Sequence, residues 1–204
     1  MQQHPSLAGY APNAAKLVQE YESRPFETVF TGFLHVFPTV PSRILDIGAG
    51  SGRNAAALAR KGHHVVAVEP VKEMREAGMR LHADVPLTWV DDMLPSLASL
   101  REGPHAGPYD CVLLAAVMMH FTAEEREAIM GAVAPLLRGG GRLIVTFRHG
   151  PVPEGRRMFE VSLEEAAALG ERHGFTLTDS REHEDHAGRP GVSWTMVCMV
   201  KQLR

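Results

Sequence analysis

Ile44-Leu-Asp-Ile-Gly-Ala-Gly-Ser-Gly52 joins a short apolar run to three closely spaced glycines. Arg43 to Ile47 has the length and composition of a buried strand, and the segment from Gly52 to Lys61 places Ala55, Leu58 and Ala59 on one helical face. A strand, a glycine turn and a helix in that order form the opening of a parallel α/β unit. Glycine is needed there because the chain must turn sharply and let another molecule approach its backbone. The helix that follows directs its unpaired N–H groups and positive dipole end at the turn.

Outward from this stretch, strand-length apolar runs alternate with helical segments. The reading gives strands at His64–Glu69, Leu87–Val90, Asp110–Ala116 and Arg142–Arg148, and helices over Val71–His82, Met93–Arg101, Thr122–Arg138 and Ser162–His173. Thr122 with Glu125, and Ser162 with Glu165, have the spacing of capped helix starts. Gly139-Gly-Gly141 is read as the stop of the third of these helices. Phe175–Glu182 and Ser193–Lys201 alternate like strands about a polar turn, Glu184 to Gly191. The expected fold is α/β, Rossmann-like and doubly wound. It has a mostly parallel seven-stranded sheet, an antiparallel C-terminal hairpin and a helical N-terminal lid. One domain covers 1–204, with residues 1–40 as the lid, bearing Tyr10, Tyr21, Phe26, Phe30 and Phe33, and 41–204 as the core.

Composition narrows the class. The chain has 204 residues, 45% of them apolar and 22% charged, with a formal net charge of −3. That balance gives no support to nucleic-acid binding, which needs a basic face. No apolar run is long enough to span a membrane. Met1-Gln-Gln-His-Pro5 lacks the basic-then-apolar order of a secretory leader. Cys111 and Cys198 lie in apolar runs and read as reduced thiols of a cytoplasmic protein.

The ligand is read from charge. Glu69 ends the strand after the glycine turn, where a carboxylate accepts hydrogen bonds from ribose hydroxyls. A dinucleotide site has its third glycine one residue later than Gly52. Asp46, two residues before Gly48, would also repel a diphosphate. An acid there suits a ligand with an ammonium and a sulfonium, which selects S-adenosyl-L-methionine over NAD.

These residues resemble the class I methyltransferase family, and the resemblance extends over nearly the whole chain. The family's first motif, Asp-x-Gly-x-Gly-x-Gly, matches Asp46, Gly48, Gly50 and Gly52. The resemblance implies that Asp46, Gly48, Gly50 and Gly52 line the methionine end of the cofactor, that Glu69 binds its ribose, and that Ala49 and Pro70 are further cofactor contacts. It implies an adenine contact at Asp91 or Asp92; Asp92 is favoured, with Met93 supplying a backbone N–H. Ala115, on the strand Asp110–Ala116, would border the methionine moiety.

The acceptor side is read from strand polarity, since ligands of such sheets lie beyond the strands' carboxyl ends. His120, Arg148 and His149 are the candidate catalytic residues there. Arg148, Arg156 and Arg157 are candidates for binding an anionic group, and Tyr10 and Tyr21 for closing the pocket. His183-Glu-Asp-His186 reads as a hairpin turn, and no metal is expected. The function expected is in-line methyl transfer to a small-molecule acceptor. The alternatives are methylation of a protein or RNA, and a non-catalytic S-adenosylmethionine-binding module. Neither the Asn/Asp-Pro-Pro-aromatic motif of amino-methylating DNA enzymes nor the Pro-Cys nucleophile of cytosine-5 enzymes is present. The acceptor, the attacked atom and the oligomeric state are not legible.

Overall fold

A computed structural model describes residues 4–203, so the leader reading at Met1–Gln3 lies outside the described residues. Seven strands form one sheet: β1 (Arg43–Ile47), β2 (His64–Val68), β3 (Leu87–Val90), β4 (Tyr109–Ala115), β5 (Leu137–His149), β6 (Phe175–Glu184) and β7 (Ser193–Lys201). Their order is β3-β2-β1-β4-β5-β7-β6. β1 to β5 run parallel, and β7 lies antiparallel to both β5 and β6.

Side chains alternate across the sheet with the period of two that strands impose. Leu45 and Ile47, Val112 and Leu114, Val145 and Phe147 join one core. The helices α5 (Ala98–Arg101), α6 (Ala123–Val133) and α7 (Leu163–Arg172) contribute Leu100, Ile129 and Leu169 to it. Ile44, Cys111, Leu113, Ile144 and Cys198 face the other core, with Ala55 and Leu58 of α3 (Arg53–Arg60). Phe26 of α2 (Phe26–Val29), Phe30, Phe33 and Phe37 pack into that second core. The remaining helices are α1 (Ala14–Glu22) and α4 (Lys72–Leu81), which meet through Leu17, Val18, Val71 and Met74.

The N-terminal segment is therefore two things. Leu7 to Glu22 lie over α4 as a cover, whereas Phe26, Phe30, Phe33 and Phe37 belong to the second core. The paired cap at Thr122 forms: its Oγ accepts from Glu125 N–H at 3.3 Å, and Glu125 Oε2 accepts from Thr122 N–H at 2.7 Å. Two helix readings are corrected. α6 stops at Val133, because Pro135 has no N–H to continue the ladder. The glycine run then belongs to β5, where Leu137 pairs with Tyr109. The reading over Met93–Arg101 shortens to α5, since Leu97, with a left-handed φ of 42°, cannot lie inside a right-handed helix. Cys111 on β4 and Cys198 on β7 are buried free thiols with β5 between them. Among the described residues no helix is long and apolar enough to cross a membrane.

Candidate active site

β1 and β2 hold the glycine loop by backbone bonds: the N–H groups of Gly48 and Ala49 both donate to Val68 O, at 2.8 and 2.9 Å. Gly50 and Gly52 have φ of 60° and 84°, left-handed values that glycine adopts without steric cost. A Cβ on Gly52 would stand 2.7 Å from the Trp89 ring. Gly52 also opens α3 without a side-chain cap, so the first N–H groups of that helix face the loop.

Asp46 lies beneath this loop with no exposed surface, and neither carboxylate oxygen has a hydrogen-bond partner. Burial, opposed by Arg53, pushes its pKa up to about 7. Glu69 is also pushed up to about 7, chiefly by burial and against two backbone donors. Those donors are Gly50 N–H at 2.7 Å on Oε2 and Val71 N–H at 2.8 Å on Oε1. Each Glu69 oxygen keeps a further lone pair. Two buried acids beside the same glycine loop, one of them without a hydrogen-bond partner, fit a ligand with a cationic end and ribose hydroxyls. They do not fit a diphosphate.

The other residues read as cofactor contacts divide. Pro70 is half-buried just past β2, and Ala115 is half-buried at the end of β4. Ala116 beside it has φ 59°, and its N–H donates to Thr146 Oγ at 3.0 Å. The sequence held no signal of that strained turn. Asp91 is exposed and paired with Arg75 at 2.6 Å. Asp92 is buried, and its oxygens accept from Met93 N–H and Ser99 N–H, each at 2.7 Å. The Met93 N–H expected for the adenine ring is thus engaged by Asp92 itself.

On the acceptor side the cover and β4 meet. The Tyr10 hydroxyl lies 2.9 Å from His120 Nε2, and His120 Nδ1 lies 2.7 Å from Arg157 O. A carbonyl only accepts, so Nδ1 carries the hydrogen and Nε2 accepts from Tyr10. Burial pulls the His120 pKa down, which keeps the ring neutral with its lone pair on Nε2. The Arg156 guanidinium sits 3.7 Å above the Tyr10 ring, and Tyr21 rests on Gly50. Glu22 fastens the cover to the loop: its Oε1 accepts from Ser51 Oγ at 2.6 Å and lies 3.3 Å from His82 Nε2. Arg53 Nη1 donates to Tyr21 O at 2.9 Å. Glu22, Ser51 and His82 carry no motif and were not foreseen.

Arg148 and His149, neighbours at the end of β5, part company. Arg148 shares the Ile144 face, as Asp46 shares that of Ile44, and donates to Pro151 O at 2.7 Å. His149 follows Phe147 onto the opposite face. There it lies 2.8 Å from Thr195 Oγ and 3.3 Å from Glu160, in a groove of about 530 Å³ with His183 and Trp194. The structure does not bring His149 together with His120. Arg157 is held by Glu125 at 3.0 Å. His183 and His186 stack at 4.5 Å near the β6–β7 turn.

With this geometry, comparison with known proteins is informative. Residues 44–141 match the family model of the methyltransferase domain. A ubiquinone biosynthesis O-methyltransferase of Xylella fastidiosa (strain M23) is 35% identical over 105 residues, 52% of this chain and 41% of that protein. A demethylmenaquinone methyltransferase of Clavibacter sepedonicus is 33% identical over 140 residues, 65% of this chain and 52% of that one. The chain thus spans about half the length of the curated relatives it matches. Among solved structures, a TehB-like S-adenosylmethionine-dependent methyltransferase from Corynebacterium glutamicum superposes with a TM-score of 0.68 at 18% identity, covering 94% of this chain and 99% of that one. Magnesium protoporphyrin IX methyltransferase from Synechocystis with bound S-adenosylmethionine gives 0.67 at 18%, covering 99% and 86%; both likenesses concern the fold. Residues 44–141 are thus similar to the methyltransferase domain, and the chain as a whole has the fold of the solved S-adenosylmethionine-dependent methyltransferases.

Proposed function

We propose that this chain methylates a small molecule, with the cofactor against Asp46, the glycine loop and Glu69, and the acceptor beside His120. The observation that carries the reading is the relay from Tyr10 to His120 to Arg157 O, set above the loop that holds Asp46. When bound, S-adenosylmethionine supplies an electrophilic methyl group on a sulfonium. Asp46 offers two vacant acceptors to an ammonium, and Glu69 offers its remaining lone pairs to the ribose. Arg157 O fixes the ring orientation of His120, so that Nε2 faces the cover. An acceptor hydroxyl or amine that takes the place of the Tyr10 hydroxyl would hand its proton to Nε2. The cover, latched by Glu22, excludes water from the reacting atoms. A small acceptor is supported by the matched relatives, which are named as a ubiquinone biosynthesis O-methyltransferase and a demethylmenaquinone methyltransferase.

The test has two parts. Incubation of the protein with a metabolite extract and methyl-labelled cofactor should yield one labelled small molecule, identified by mass. Label in protein or RNA alone would overturn the small-molecule reading, and no label at all would favour a binding module. With the acceptor known, His120→Ala should lower kcat about 100-fold or more, while the Kd for S-adenosylhomocysteine stays nearly constant. Raising the pH until the acceptor ionises unaided should restore much of the lost rate. An unchanged kcat would remove His120 from the chemistry.

A further inference from the structure

The cover is tied to both ends of the site by one continuous piece of chain. From Tyr10 it runs without a break: Asn13 N–H donates to Tyr10 O at 3.1 Å, a 3-10 turn spans Ala11–Asn13, and α1 follows directly at Ala14. Its apolar underside, Ala14, Leu17 and Val18, rests on Val71 and Met74. Beyond Glu22 only Ser23, Arg24 and Pro25 separate α1 from Phe26, which is fixed in the second core.

At the cofactor end, Glu22 Oε1 accepts from Ser51 Oγ at 2.6 Å, and Arg53 Nη1 donates to Tyr21 O at 2.9 Å. The Tyr21 ring stands over Gly50, 3.3 Å from where a Cβ would lie, and Gly50 N–H is one of the two donors that hold Glu69. Asp46 and Glu69 are 0% and 6% exposed, so the seat is closed to solvent with the cover in this position. At the acceptor end the Tyr10 hydroxyl donates to His120 Nε2 at 2.9 Å, and His120 is itself buried. The two sets of contacts thus sit at opposite ends of one helical segment. Such a segment moves as a body, because bending it sharply disrupts its ladder of hydrogen bonds. Lifting Glu22 off Ser51 about the Ser23–Pro25 link also draws Tyr10 off His120, and Tyr10, furthest from the link, travels furthest.

We propose that Tyr10–Glu22 is a single gate for both ligands: one movement admits the cofactor to Glu69 and frees Nε2 of His120, and Glu22 and Tyr10 are the positioning residues that hold the gate shut. Cofactor exchange and the availability of the base then rise and fall together. Two independent closures would exclude water equally well but would not link these events. The gate rests on the methyltransferase reading for what passes through it; the link between its two ends does not.

Two rates on the full chain test it, each read at the end opposite the substitution. One is the release of S-adenosylhomocysteine, followed by surface plasmon resonance. The other is carbethoxylation of His120 by diethyl pyrocarbonate in the ligand-free chain, mapped by mass, with exposed His64 as internal standard. Glu22→Ala, which breaks the cofactor end, should speed modification of His120 about ten-fold, the worth of one net hydrogen bond in the closing equilibrium. Tyr10→Phe, which breaks the acceptor end, should speed release of S-adenosylhomocysteine by a similar factor. Circular dichroism melts confirm folding, and Ser51→Ala removes the Glu22 bond from the loop side where Glu22→Ala does not fold. If each variant alters only its own end, the gate is overturned and the methyltransferase reading stands. If S-adenosylhomocysteine fails to bind the parent, that reading falls, and the His120 rate decides the gate by itself: unchanged in Glu22→Ala it overturns the gate, raised it supports it.

Discussion

Asp46 is buried with no hydrogen-bond partner on either carboxylate oxygen, and that burial has a measurable cost. Its pKa is about 7 in the folded chain against 3.8 for the free side chain. The folded state therefore prefers the protonated form. That stabilisation is complete below pH of about 4 and is lost as the pH rises through about 7. Glu69, raised to about 7 for the same cause, adds a slope of the same sign. The Tm of the ligand-free protein should fall between pH 5.5 and 8. Asp46→Asn should flatten the profile and gain roughly 1–4 kcal/mol at pH 8, while losing affinity for S-adenosylhomocysteine. Thermal melts across pH with and without that ligand check both. An equal slope in the variant would mean Asp46 is ionised in the ligand-free fold. Gly52→Ala is expected to lower stability by about 1–2 kcal/mol for its left-handed backbone alone, and more if the Trp89 ring cannot move aside. Denaturant melts measure it. The glycines and Asp46 were legible in the sequence because a backbone need and a charge need coincide within one short stretch. The Tyr10–His120 bond was not, because it joins residues 110 apart in the chain and no periodicity relates them. Met93 shows another limit: spacing placed its N–H near the ligand, but only coordinates reveal that Asp92 already receives it.

Elements were legible where one pattern ruled and were missed where two competed. The apolar runs marked β1 and β4, and the alternation of Ser193–Lys201 marked β7. In α6 the helical pattern ran on to Arg138 on paper, and a single proline ended it five residues earlier. The N-terminal segment reads as one aromatic stretch, yet Tyr10 and Tyr21 face the cleft while Phe26, Phe30 and Phe33 are core. This distinction predicts different outcomes for two changes. Deleting residues 1–22 should leave a folded sheet, since it removes no strand and none of the phenylalanines, but turnover should fall sharply once water enters the cleft. Phe30→Ala should destabilise the whole domain by about 3–5 kcal/mol, because Phe30 is fully buried. Circular dichroism melts and turnover assays separate the two. A truncated chain that turns over like the full one would mean the cover plays no part in catalysis.

At the scale of the molecule, the cover and the sheet are held by very different amounts of contact. The sheet lies between two extensive apolar cores, whereas α1 rests on a small cluster and the bonds of Glu22 and Tyr10. Hydrogen exchange should therefore be fast over residues 14–22 and slow over β1 and β4 in the free protein. S-adenosylhomocysteine should slow exchange in α1 far more than in β4, because the ligand fills the space the cover closes over. Equal protection of both segments by the ligand would show that the cover does not respond to it.

The position of β7 has a consequence for how the chain is made. β7 follows β6 in the sequence but lies between β5 and β6 in the sheet. Synthesis thus delivers β6 before the strand that must separate it from β5. Until β7 inserts, β5 and β6 each present an unpaired edge, the kind of surface on which nascent chains pair wrongly or with one another. The interval between the emergence of β6 and the placement of Ser193–Lys201 is the one in which this chain is most exposed to aggregation, and in which a chaperone that shields strand edges would have most effect.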